Sequence, residues 1–296
     1  MPEISLEFGS GSKAVVSTTG AALWELSIDS NQLITKAADP IKVFAGSVLA
    51  PWQNRLAKGE WVDDFGQLHK LEINEPSRNN AHHGLVFDSE FLIKQQTKNS
   101  VVLETDLVSP NGYPFNLSIR ISYLLDSSGL SCEFSATNNG DKAAPFVIGF
   151  HPYFTIRNSE KSKLTLPAQS FYTQNENKIP IERQNVSGTG YDFRVGKTLT
   201  GITLDDTFTD FEFVNEEAVS VLETTDWKIE LSQSKNLSHT VVYLTDSYES
   251  ELGTVSAIAL EPASGPPNAL NSKDGLVSIE PAATFSGSWS VRLAAQ

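Results

Sequence analysis

Between Phe115 and Thr137 the chain alternates apolar and polar residues with a period of two, interrupted once by a turn. Leu117, Ile119, Ile121 and Tyr123 fall against Ser118, Arg120 and Ser122. After Asp126-Ser-Ser-Gly129, Leu130, Cys132, Phe134 and Ala136 fall against Ser131, Glu133, Ser135 and Thr137. Successive side chains of a strand point to opposite faces, so the pattern predicts an antiparallel hairpin with one buried face. Val219–Leu222 and Trp227–Leu231 repeat the design around Glu223–Asp226, and Gly59–Ile73 reads as a hairpin around Asp63-Asp-Phe-Gly. No window carries an apolar stripe at helical spacing, and no internal repeat is visible. The expected fold is therefore all-β, a large antiparallel β-sandwich. No linker or composition shift divides the chain, so one domain over 1–296 is expected.

Charge narrows the partners. The chain carries 36 acidic and 22 basic side chains, a formal net charge of −14. Phosphate backbones and anionic membrane surfaces both call for clustered Lys and Arg, and no stretch supplies them, so neither nucleic acid nor membrane is expected as a partner. The 16 Phe, 7 Tyr and 5 Trp provide ample core material. Cys132 is the only cysteine, so no intrachain disulfide can form, and its place on the apolar side of a strand points to packing. The N-terminal residues show no basic region followed by an apolar run, and a cytoplasmic location is the expectation. Sandwich faces often pair, which leaves monomer or homodimer open. Metal-ligand spacings such as H-x-H, HExxH and CxxC are absent, and no cofactor motif is present.

Two strand patterns end in ionisable groups. In Phe146–Phe154, FVIGFHPYF, alternation as one strand puts Phe146, Ile148 and Phe150 on one face and Val147, Gly149 and His151 on the other. Pro152 is expected to stop that strand, and the small-residue face leaves room for a compact ligand. Val255–Glu261 reads V-S-A-I-A-L-E, with Ile258 and Leu260 on one face and Ala257, Ala259 and Glu261 on the other, followed at once by Pro262. Each ionisable group alone also fits a structural role. Together they suggest an acid and a base converging on one cleft, suited to moving protons between two oxygens of one substrate.

Other candidates lie on expected loops. Trp52, in Pro51-Trp-Gln-Asn-Arg55, offers an indole wall for the apolar face of a sugar, and Arg55 a fixed donor fork for a hydroxyl or carboxylate. His82 and His83 should point in opposite directions if extended, with His83-Gly84 the half where a ligand can approach. Phe154–Thr200 is richer in polar residues and is expected to be irregular cover. Asp205-Asp-Thr-Phe-Thr-Asp210 concentrates carboxylates and reads as a solvated loop.

The order of P-W-x-N-R (51–55), A-H-H-G-L-V (81–86), G-Y-P-F (112–115), G-F-H-P-Y-F (149–154), L-D-D-T-F (204–208) and A-L-E-P-x-x-G-P-P-N-A-x-N-S (259–272) resembles the aldose 1-epimerase, or galactose mutarotase-like, family over nearly the whole chain. The last block most resembles the bacterial branch that includes mutarotase-like proteins of sulfoquinovose gene clusters. The resemblance implies a supersandwich with a sugar on its concave face and no cofactor. It implies Glu261 as general base and His151 as general acid, with His83, Arg55 and Asp205 binding hydroxyls and the ring-oxygen side. The reaction implied is the interconversion of α and β anomers of a free hexose. Alternatives are an anionic hexose held through Arg55 and Arg78, or a non-catalytic carbohydrate-binding module. His83-Gly-Leu and His151-Pro depart from the galactose mutarotase pattern and put galactose preference in doubt.

Overall fold

A computed structural model describes residues 2–295, and β-strands dominate it. A nine-stranded antiparallel sheet runs in the order Leu92–Gln96, Ser100–Val108, Asn116–Asp126, Gly129–Asn138, Thr284–Leu293, Lys228–Ser234, Glu217–Glu223, Lys163–Thr165, Lys197–Thr198. The alternating segment at its centre pairs Ile119 with Ala136, Ile121 with Phe134 and Tyr123 with Cys132. These side chains are buried, as period two requires, and Cys132 packs between Tyr123 and Trp289 on the neighbouring strands. The hairpins expected around Glu223–Asp226 and Asp63–Gly66 are present as Glu217–Glu223 with Lys228–Ser234 and Glu60–Val62 with Leu68–Lys70.

The second large sheet has eight strands. Pro180–Asn185, Ala168–Gln174, Asp205–Phe211, His239–Ser250, Gly253–Ala263, Gly149–Phe150 and Val48–Leu49 lie side by side, and Tyr153–Ile156 also pairs with Gly253–Ala263. The two sheets share one core. Phe134 and Trp289 of the first approach Phe150 of the second with ring centroids 5.9 and 5.7 Å apart. Ile258 and Leu260 join that core, whereas Ala257 and Ala259 pack with Tyr153 and Tyr248 in a smaller cluster on the opposite face. The fold is the expected antiparallel β-sandwich.

Three local expectations change. FVIGFHPYF is not one strand: Ala144–Phe146 pairs with Val277–Ile279, and the chain enters the eight-stranded sheet only at Gly149. The space beside Gly149 is not left for a ligand, because a Cβ there would sit 2.8 Å from Cβ of Gln53. Phe154–Thr200 is not irregular; it contributes Lys163–Thr165, Ala168–Gln174, Pro180–Asn185 and Lys197–Thr198. Its polarity arises because Pro180–Asn185 is a largely exposed sheet edge. Asp205–Phe211 is an interior strand, not a solvated loop.

Ile121 is fully buried at the centre of the nine-stranded sheet. Ile121→Ala should lower unfolding stability by about 2–5 kcal/mol in urea titration, the cost of lost contacts plus a residual cavity.

Candidate active site

Register explains how His151 and Glu261 meet. Gly149 pairs with Ala263 and Tyr153 with Ala259, so His151, midway between them, faces Glu261 across the same antiparallel ladder. The strand does stop at His151-Pro152, as expected, but the ladder resumes at Tyr153 in unchanged register. Pro262 lies inside the Gly253–Ala263 strand, paired with Thr240. His151 Nε2 stands 3.5 Å from Glu261 Oε1, with the two residues 5% and 2% exposed. Tyr153 stacks on the His151 ring at a centroid distance of 4.8 Å and 26°. Neither His151 Nδ1 nor Glu261 Oε2 has a hydrogen-bond partner among the described residues.

Burial sets the protonation of this pair. It pushes Glu261 well above the usual carboxylate range, with the charge of Asp205 adding to the rise and Arg55 opposing it. It lowers His151 to about 3, with Arg55 again disfavouring the cation. Both shifts favour the uncharged forms, and because the two groups face each other their titration belongs to the pair.

The pair lies in a cavity of about 280 Å³, lined also by Phe44, Arg55, His82, His83, Tyr153, Asp205 and Tyr243. Arg55 begins the strand Arg55–Ala57, opposite His82 in Asn80–His82. Its Nε donates to both carboxylate oxygens of Glu75 at 3.2 and 3.0 Å, and its Nη1 donates to Asn54 Oδ1 at 3.2 Å. Burial alone would raise the Glu75 carboxyl, but hydrogen bonds from Arg55 and Asn80 hold it at about 2. Asp205 lies 3.7 Å from Arg55 Nη1 and 3.3 Å from Lys178 Nζ. Asp205 is thus paired with specific cations, which helps a carboxylate-rich segment enter a sheet.

His82 and His83 do not diverge. His83 has φ +67°, outside the extended region, and both rings turn to the same side and stack with centroids 3.6 Å apart. The next residue, Gly84, has φ +80°, and a Cβ there would lie 2.2 Å from the Ala50 carbonyl oxygen. Only glycine allows that turn. His83 in turn meets the His151 ring edge-on at 5.1 Å.

Trp52 is the candidate the cavity does not take in. Its side chain belongs to the core at 3% exposure and borders a neighbouring cleft instead, so it is not a stacking wall beside His151 and Glu261. Arg55, His83, Asp205, His151 and Glu261 do come together. Sequence reasoning missed Glu75, Asn54 and Tyr243. Glu75 sits in a polar stretch, Asn74–Asn80, whose local pattern carries no sign that one carboxylate is buried against an arginine. Tyr243 was detectable only through the long-range pairing of its strand with Asp205.

Known proteins resemble this chain over nearly its whole length. The sequence profile described as aldose 1-epimerase matches residues 2–292. YihR, an uncharacterised protein of Escherichia coli strain K12, is 32% identical over 272 residues, covering 90% of this chain and 85% of its own. The crystal structure of a GalM/aldose epimerase homologue from C. elegans superposes with a TM-score of 0.83 at 19% identity, covering 99% of this chain and 98% of that one. A galactose 1-epimerase from Lactobacillus acidophilus NCFM superposes with a TM-score of 0.79 at 21% identity, covering 99% and 95%. The fold is that of the galactose mutarotase-like proteins. The chain belongs to the aldose 1-epimerase family.

The raised Glu261 carboxyl carries a stability consequence. Its folded pKa exceeds its unfolded one, so its contribution is fully present below the usual carboxylate range and is lost as pH rises through the folded value. A neutral amide escapes that loss. Thermal unfolding should show Glu261→Gln more stable than wild type at pH 8, with the gap narrowing towards pH 5.

Proposed function

We propose that this protein is an aldose 1-epimerase that interconverts the α and β anomers of a free hexose. The observation that carries this reading is the buried pair of His151 and Glu261, 3.5 Å apart in a cavity of about 280 Å³, with neither His151 Nδ1 nor Glu261 Oε2 partnered among the described residues. Family membership supplies the reaction class. The cytoplasm is the proposed location.

In this reading Glu261, as carboxylate, takes the proton from the C1 hydroxyl while His151, as imidazolium, gives one to the ring oxygen. The C1–ring oxygen bond breaks and an open-chain aldehyde forms. Rotation about C1–C2 presents the other face of the carbonyl. Closure returns both protons, with Glu261 now the acid and His151 the base. A single proton shared by the pair suits this cycle, because each half-reaction needs one protonated and one unprotonated group. Arg55, fixed by Glu75 and Asn54, leaves Nη2 available for a sugar hydroxyl. His83 and Asp205 bind further hydroxyls.

An anionic hexose, phosphorylated or sulfonated, is the second reading. Lys42, Arg55 and Arg78 border the cavity, and although Glu75 pairs with both arginines, they are the cations within reach of an anionic group. A binding module alone has no use for a buried acid–base pair.

Polarimetry or NMR exchange spectroscopy of freshly dissolved α-glucose, α-galactose and their 6-phosphates, with sulfoquinovose as the sulfonated hexose, tests the assignment. Wild type should accelerate exchange of at least one, and Glu261→Gln should lower kcat by about 10²–10⁴-fold. Acceleration of none, or full activity in Glu261→Gln, contradicts it. The pH profile of kcat/KM should be a bell whose two limbs belong to the pair. It falls at low pH as the pair takes up a second proton and at high pH as it loses its last. Glu75→Gln should raise KM about tenfold with kcat less affected, because it frees Arg55 without touching the proton-transfer groups.

A further inference from the structure

A pyranose is polar around its rim and apolar on its faces, so a pocket that holds one needs an apolar wall as well as hydroxyl partners. Trp52 does not supply that wall. Of the residues lining the catalytic cavity, only Val43 and Phe44 carry no polar side-chain atom. Val43 and Tyr243 pack against the small cluster that holds Tyr153 and Tyr248. Tyr153 is engaged by two protein rings, His151 at 4.8 Å and Tyr248 at 4.9 Å. Phe44 is left, and it is only partly buried.

The backbone at Phe44 is unusual for an aromatic residue. Its φ is +55°, in the left-handed region, where a bulky side chain is strained. Glycine would close such a turn without strain, as Gly46 does two residues on at +69°. The turn is nevertheless held firmly, with the Phe44 N–H donating to the Ile41 carbonyl at 3.2 Å and the Ala45 N–H to the Pro40 carbonyl at 2.8 Å. It is also tied to His151. The Gly46 N–H donates to the His151 carbonyl at 2.8 Å, and the His151 N–H donates to the Ser47 carbonyl at 3.2 Å. The Phe44 ring approaches His83 at 4.5 Å, Phe87 at 4.9 Å and His82 at 5.3 Å, inclined by 55°, 69° and 71°, so none of the three stacks parallel to it. Strain kept at a residue whose ring borders the cavity, on a turn bonded to His151, points to a use for the ring.

We infer that Phe44 is the aromatic platform of the sugar site. The C–H face of the pyranose lies against its ring, while Arg55, His83 and Asp205 take hydroxyls at the rim and His151 and Glu261 act at C1 and the ring oxygen. The bonds through Gly46 and Ser47 fix the platform relative to His151. This rests on the proposed epimerase reading and adds to it a specificity-determining residue, one that reads the face of the ring rather than its charge.

The test measures kcat and KM by NMR exchange spectroscopy for wild type, Phe44→Leu and Phe44→Tyr on the fastest-exchanging of glucose, galactose and their 6-phosphates. Leucine keeps much of the bulk and removes the π-face, whereas tyrosine keeps both. Phe44→Leu should raise KM about tenfold with kcat changed by less than about twofold, and Phe44→Tyr should retain the wild-type KM. A ring that only packs against His82 and His83 predicts otherwise: an unchanged KM, or a loss confined to kcat through a displaced His83, and either overturns the platform. Should Phe44→Leu fail to fold, saturation-transfer NMR on wild type decides. Irradiation of aromatic protons should reach the sugar C–H groups of one ring face, and transfer without preference for a face overturns the inference. If no hexose exchanges faster than the uncatalysed rate, the epimerase reading fails and calorimetry with the same sugars judges the platform alone. Affinity weakened in Phe44→Leu and kept in Phe44→Tyr supports it; affinity equal in all three, or no binding, overturns it.

Discussion

A carboxyl group with 2% of its surface exposed, facing an imidazole 3.5 Å away, is the constraint around which this sandwich is arranged. An isolated buried carboxylate is costly, and so is an isolated buried imidazolium, so each group is neutral unless the other takes up the opposite charge. One proton moving between them converts the neutral pair into base and acid. The cost of burying both is met by the surrounding fold, whose ladder from Gly149 to Tyr153 sets His151 opposite Glu261. Ala257 and Ala259 pack under Tyr153 and Tyr248 on the side of the strand that carries Glu261, while Ile258 and Leu260 on the other face anchor the strand in the core.

Charged groups around the pair are arranged in compensated sets. Glu75 neutralises Arg55, and Asp205 is shared between Arg55 and Lys178. Asn80 ties the system together, donating to Glu75 and to the Asn177 carbonyl next to Lys178. Fixed donors and acceptors of this kind need little reorganisation when charge shifts beside them. His83 and His82 extend the arrangement outward as a stack made possible by left-handed backbone at His83 and Gly84.

Periodicity made the large hairpins legible, because a one-residue slip would turn Ile119, Ile121 and Phe134 to the solvent. It also put His151 and Glu261 at comparable positions on small-residue strands. Where periodicity failed, a local cause is visible. FVIGFHPYF changes sheets before Gly149, so its first residues follow different neighbours from its last. The two histidines share one side because of a single positive φ, which no side-chain pattern reports. Trp52 was placed by its chemistry rather than by its environment, and the core took it. Glu75 became visible only through its distance to Arg55, a contact across twenty positions of sequence.

The central claim is that His151 and Glu261 act as one proton-sharing unit, and a double-mutant cycle on the anomeric exchange rate tests it most directly. Rates would be measured by NMR exchange spectroscopy for wild type, His151→Asn, Glu261→Gln and the double variant on the best hexose. If the two groups act together, the double variant loses scarcely more than the worse single variant. Losses that multiply across the two positions would show independent roles and contradict the account.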